Sequence, residues 1–162
     1  MNDPSPASGR FGIVEHDIIK TMAGLDFLHA IMRGEYPLPP ICRVLDFRPV
    51  EMEVGRAVFE GVPRAEFYNP LGSVHGGYAA TLLDSAMGCA VHTTLRAGIG
   101  YTTLEFKINF VRPLSDRTGL VRAEARVLHT GTTIGTAEGK LIDARGKTFA
   151  HATTTCLIFA LP

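Results

Sequence analysis

Hydrophobic positions fall into two rhythms along the chain. Met22, Leu25, Leu28, Ile31 and Met32 recur at helical spacing, and Gly34 and Pro37 stop the pattern, which predicts a short amphipathic helix. Residues 1–20 ahead of it read as a flexible arm, leaving 21–162 as a single domain. Ile41–Phe47, entered through Pro39-Pro40, and Val54–Val62 read as two β-like stretches. From Gly76 to about Leu95 runs the one long helix. Tyr78, Ala79, Leu82, Leu83, Ala86, Met87, Ala90 and Val91 make it small or apolar on nearly every side, as in a buried helix. After it the period changes to two. Leu104, Phe106, Ile108 and Phe110 alternate with Glu105, Lys107 and Asn109, and Val121, Ala123, Ala125 and Val127 with Arg122, Glu124 and Arg126. Thr132–Ile142 and Lys147–Phe159 read as two more strands, with turns at His129-Thr130-Gly131 and Asp143–Gly146. The order predicts an α+β fold: a curved antiparallel sheet wrapped around a long central helix, with an extra N-terminal helix.

Composition narrows the function classes. The chain has 162 residues, 46% hydrophobic and 20% charged, enough for one domain with a real core. Lys plus Arg equal Asp plus Glu at 16 each, so there is no electrostatic footprint for nucleic acid or an anionic membrane. Cys42, Cys89 and Cys156 are few and scattered, forming neither a disulfide framework nor a zinc pattern, which suits a reducing cytoplasm. Met1–Arg10 has no apolar leader core, and the charge-free run Phe67–Leu83 is too short to span a bilayer. The six histidines lack metal-ligand spacing. No metal and no cofactor are expected.

Asp84 is the only formally charged side chain between Glu66 and Arg96, in the middle of the least polar segment. Aspartate is a poor helix-interior residue, and burying a carboxylate without partners costs several kcal/mol. Asp84 is therefore exposed, paired with a neighbour such as Ser85, or retained for chemistry as a general base or nucleophile.

A second feature precedes the helix, in the run Asn69-Pro70-Leu71-Gly72-Ser73-Val74-His75-Gly76-Gly77. Glycines at a helix start leave first-turn N–H groups sterically open, suited to a carbonyl oxygen becoming an oxyanion. They would equally let the helix pack closely on a strand. His75 reads as a base, a donor or a satisfied helix-start residue, and Asn69 as a carbonyl-orienting group or a turn residue.

Gly76 and Asp84 are eight residues apart, about 12 Å along one helix, whereas a base must lie about 3 Å from the atom it serves. One helix cannot bring both groups to one carbonyl. Two helices packed antiparallel about a twofold axis can, so a shared site predicts a homodimer.

Asn69-x-x-Gly72-x-Val74-His75-Gly76-Gly77, then Asp84, then Thr102-Thr103-Leu104-Glu105-Phe106 ending in Phe110-Val111-Arg112-Pro113, resembles the PaaI-type hotdog thioesterases of phenylacetate metabolism, over roughly Arg43 to Phe159. The resemblance implies a hotdog fold, an acyl-CoA substrate, no metal, and dimers that commonly pair into tetramers. By position it makes Asp84 the nucleophile or general base and gives the Gly76 amide of the partner subunit the task of polarising the thioester carbonyl. Asn69 would place the carbonyl or attacking water, His75 the oxyanion end, and Thr103 a water near the carboxylate. On the two-residue rhythm Thr103 lies opposite Leu104 and Phe106. Leu71, Val74, Gly77, Tyr78, Thr102, Leu104, Thr130, Gly131 and Arg112 are the expected substrate contacts. One departure stands out: relatives often carry a basic residue just after the Thr-Gly of the turn at 130–131, and here Thr132 and Thr133 follow. Arg112, Arg145 or Lys147 could substitute.

Two alternatives stay open. A hotdog hydratase or dehydratase would use His75 and Asp84 as its pair, and a non-catalytic acyl-CoA-binding protein would keep the pocket without turnover. Gly72-Ser73 is not a nucleophile elbow, and Gly135–Lys140 lacks phosphate-loop spacing.

Overall fold

The computed structural model describes residues 9–162. Helices α1 (His16–Ile19), α2 (Gly24–Met32) and α3 (Pro40–Val44) precede strands β1 (Phe47–Glu53) and β2 (Arg56–Gly61). Helix α4 (Gly76–His92) follows, then β3 (Ile99–Phe110), β4 (Val121–Thr130), β5 (Ile134–Asp143) and β6 (Thr148–Ala160). The six strands form one sheet in the order β1-β2-β4-β5-β6-β3, every neighbouring pair antiparallel. Helix α4 touches every strand of it. This is the expected hotdog arrangement, a curved sheet closed around one long helix with short helices at its N-terminal side.

The core lies between α4 and the concave sheet face. Leu82, Leu83, Ala86, Met87, Ala90 and Val91 of the helix are fully buried against Val121, Ala123, Ala137 and Leu141 of the strands. The helix is not covered all round. Gly77 is exposed, and Ala80, Thr81, Asp84, Ser85 and Cys89 are half-buried along one stripe that the sheet leaves open.

Three expectations need correction. Ile41–Phe47 is not a strand: Pro40 opens α3, where its fixed φ and missing N–H are tolerated in a first helical turn, and Cys42 is the residue that the helix buries. Asp46, with φ 48° and an ion pair to Arg64, turns the chain, and the strand begins only at Phe47. The described part of the supposed arm is laid against the body. Phe11 bridges Leu38, and Val14 is buried with Phe27 and Ile31, so apolar contact holds this segment down. Residues 1–8 of that expectation lie outside the described residues.

The third correction bears on the site. Along β3 the register shifts between Thr103, opposite Cys156, and Glu105, opposite Thr155. Leu104 is the surplus residue of a β-bulge, and it is 56% exposed instead of facing the core. The bulge reverses parity. Thr103 faces the same side as Phe106, as shown by their partners Cys156 and Thr154, both buried.

Candidate active site

Two groups of residues, both on α4 and β3, make up the candidate site. At mid-helix, Asp84 is half-buried and its Oδ1 accepts a hydrogen bond from Thr103 Oγ1 at 2.9 Å. The bulge at Leu104 is what aims that hydroxyl at the helix. Cys156, opposite Thr103, is held above its ordinary pKa first by burial and in part by the Asp84 charge. One turn on, Gly88 carries the Tyr101 ring so closely that a Cβ would lie 2.8 Å from it. Burial pushes the Cys89 thiol up to about 12 and the Cys42 thiol up to about 11, so neither is a thiolate near neutrality. Asp84 is the one carboxylate that helix α4 presents here, and Thr103 is the side chain that bonds it.

At the helix start, His75 is the N-cap: its Nδ1 accepts the Gly77 N–H at 2.9 Å. The proton of a neutral His75 therefore sits on Nε2, which points outward as a donor. The Gly76 N–H has no hydrogen-bond partner among the described residues. It is an open first-turn donor at the positive end of the helix dipole. A Cβ on Gly76 would come 3.0 Å from the Phe110 ring, so that ring and the amide share a tight corner. Sequence reasoning had not given Phe110 a site role. The signal for it is the Phe-Val-Arg-Pro end of β3, which returns the strand to the helix start. A cleft of about 460 Å³ opens here, lined by Val74, His75, Gly76, Phe110, Arg112 and Phe149 among others.

The other expected residues divide. Val74 is buried at the cleft, and Arg112 lines it while donating from Nη1 to the Thr148 carbonyl at 2.6 Å. Asn69 serves its own turn: its Oδ1 accepts the Leu71 N–H at 2.9 Å and its Nδ2 donates to Ser73 Oγ at 3.1 Å. Leu71 stands at the loop tip, 91% exposed. Tyr78 does not line the cleft. It is 3% exposed, stacked on Phe67 at 5.1 Å, with its hydroxyl directed at Gly61. Thr102 and Leu104 are exposed on β3. Thr130 bonds Thr94 at 3.2 Å, and Gly131 closes a turn to Ile134. Both therefore sit near the C-terminal end of α4, apart from the Gly76 cleft. Within one chain, the carboxylate and the open amide are not brought together.

Comparison with known proteins bears on the family and the fold. Residues 71–150 match the thioesterase superfamily model. A candidate thioesterase of Ralstonia eutropha, described as related to phenylacetic acid degradation, is 31% identical, superposes with a TM-score of 0.73, and is matched over 81% of this chain and 98% of its own. The PaaI protein of E. coli, from the phenylacetic acid degradation operon, shares the fold with a TM-score of 0.73 at 23% identity, over 85% of this chain and 94% of its own. A Streptococcus mutans protein solved with acetyl CoA is 25% identical with a TM-score of 0.64, over 71% of this chain and 90% of its own. The chain belongs to the thioesterase superfamily, among the PaaI-type hotdog proteins.

Proposed function

We propose that this protein hydrolyses an acyl-CoA thioester to a carboxylate and free CoA, with each active site assembled from two copies of the chain. The observation that carries the reading is Asp84 held by Thr103 in an otherwise uncharged helix, beside the open edge strand of the sheet. Asp84 attacks the carbonyl carbon directly or takes a proton from the water that does. The Gly76 amide of the partner subunit, with the helix dipole behind it, receives the developing oxyanion. The thiolate leaves readily, so no strong acid is needed. The relative solved with acetyl CoA supports CoA as the carrier.

The dimer follows from the split site. Strand β3 ends the sheet, and Leu104, Phe110 and Val111 are 56%, 55% and 52% exposed beside its free edge. Antiparallel pairing of two such edges about a twofold near Phe106 carries Thr103 and Asp84 of one copy toward the partner's Phe110 and the amide that it touches. The same pairing covers the open stripe of α4. A hydratase would need His75 as a free base, and its Nδ1 is engaged as the helix cap. The three free cysteines fit a cytoplasmic setting. No helix among the described residues is long and apolar enough to cross a membrane.

A thiol-release assay over a panel of acyl-CoAs tests the reading. Asp84→Asn should lower turnover by about a hundredfold or more while the unfolding transition is retained. Near-normal release by that variant removes Asp84 from the chemistry, and no release from any thioester by the wild type removes the activity.

A further inference from the structure

Most cations on the outer sheet face are neutralised. Arg56 and Arg122 pair with Glu51, Arg126 with Glu138, and Lys140 with Glu124. At the far end of β3 the pattern breaks. Arg117, Arg145 and Lys147 surround an open basin of about 400 Å³, and Arg112 stands at the end of β3 beside it. None of the four makes an ion pair among the described residues. The Lys147 ammonium lies over the Phe149 ring, 5.9 Å from its centroid. The nearby acids are already occupied: Asp143 Oδ1 accepts the N–H groups of Arg145 and Lys147, and Asp116 accepts from the Tyr68 hydroxyl. In a chain of zero net charge, this is a local surplus of positive charge, and the side-chain donors of Arg117 and Arg145 bond no other described residue, whereas Arg112 spends one on the Thr148 carbonyl.

The basin adjoins the Gly76 cleft. Pro113 and Phe149 line both. The cleft side is largely apolar, with Val74, Ala79, Phe110 and Leu114, and suits an uncharged pantetheine arm. The basin side suits phosphate, which takes charge-assisted hydrogen bonds from arginine and lysine. The turn at Thr132-Thr133 offers no cation.

We propose that Arg117, Arg145 and Lys147 bind the phosphates of the CoA nucleotide, the thioester reaching Gly76 along the shared wall of Pro113 and Phe149. This inference rests on the acyl-CoA reading, and its test is arranged so that the two can fail separately. The variant is Arg145→Glu/Lys147→Glu, with Arg145→Gln/Lys147→Gln as a gentler second form. Kinetics are measured on one acyl group carried by CoA, by 3′-dephospho-CoA and by N-acetylcysteamine, which lacks the nucleotide. The charge-reversed variant should raise KM for the CoA thioester on the order of tenfold with kcat kept, and leave the N-acetylcysteamine thioester unaffected. The neutral form should shift KM the same way by less, and wild-type KM for the CoA thioester should rise with salt. Equal effects on the CoA and N-acetylcysteamine thioesters, or none on either, overturn the assignment. Calorimetric binding of free CoA is independent of turnover. If the wild type cleaves no thioester yet binds CoA, and the variants bind it about tenfold more weakly, the phosphate site stands and the hydrolase reading falls. Unchanged binding, or no CoA binding by the wild type, overturns the site.

Discussion

The Thr103 hydroxyl is the one side-chain donor on Asp84 among the described residues. Removing it should leave the carboxylate in place but unaimed. Thr103→Val should lower kcat about tenfold while Thr103→Ser keeps most of it, measured by thiol release on both variants. At this scale the sequence carried much of the candidate site. A lone acid in an apolar helix is visible without coordinates, and so is the Gly-Gly helix start. The facing of Thr103 was not legible, because strand parity assumes an unbroken ladder and the bulge that breaks it has no glycine to announce it. Tyr78 misled for a related reason. Its helical position placed it near the site, but its ring found Phe67 and the Cβ-free space at Gly61 instead.

Helix α4 is fixed at its C-terminal end by α2. Gly24 sits so close that a Cβ there would lie 1.9 Å from the His92 carbonyl oxygen, and the His92 ring lies 6.0 Å from Phe27 and 5.2 Å from Tyr101. Burial lowers the His92 pKa from 6.5 to about 4. A histidine buried neutral binds its proton less readily when folded than when unfolded. The stability it supports is complete above the unfolded value and is lost as pH falls from about 6.5 toward about 4. Urea unfolding across that window should show the loss, and His92→Gln should flatten the curve. The elements themselves were legible where their period was long, as in α4 and β4 to β6. Segment 41–47 was not. Seven residues are too few to separate a helical turn from a strand, and the consecutive prolines argued for either.

At the scale of the whole molecule, the split between carboxylate and open amide makes a prediction that no single-chain site would share. Asp84→Asn and Gly76→Val should each be inactive as pure proteins. Mixed, unfolded and refolded together, they should recover roughly a quarter of wild-type activity, since half the dimers then carry one intact site of two. A mixture as silent as its components would place each site within one copy. A homodimer was an expectation drawn from helix rise alone, whereas the sheet edge that would join two copies emerged only from the strand order. That edge carries the surplus residue Leu104, and its presence implies an unusual tolerance. Excising Leu104 would let Glu105 follow Thr103 in an ordinary ladder, with every inward side chain still inward. Such a shortened protein should fold as before, and any fall in its hydrolysis would measure what the extra coil of the strand contributes to aim, separately from which way each residue looks.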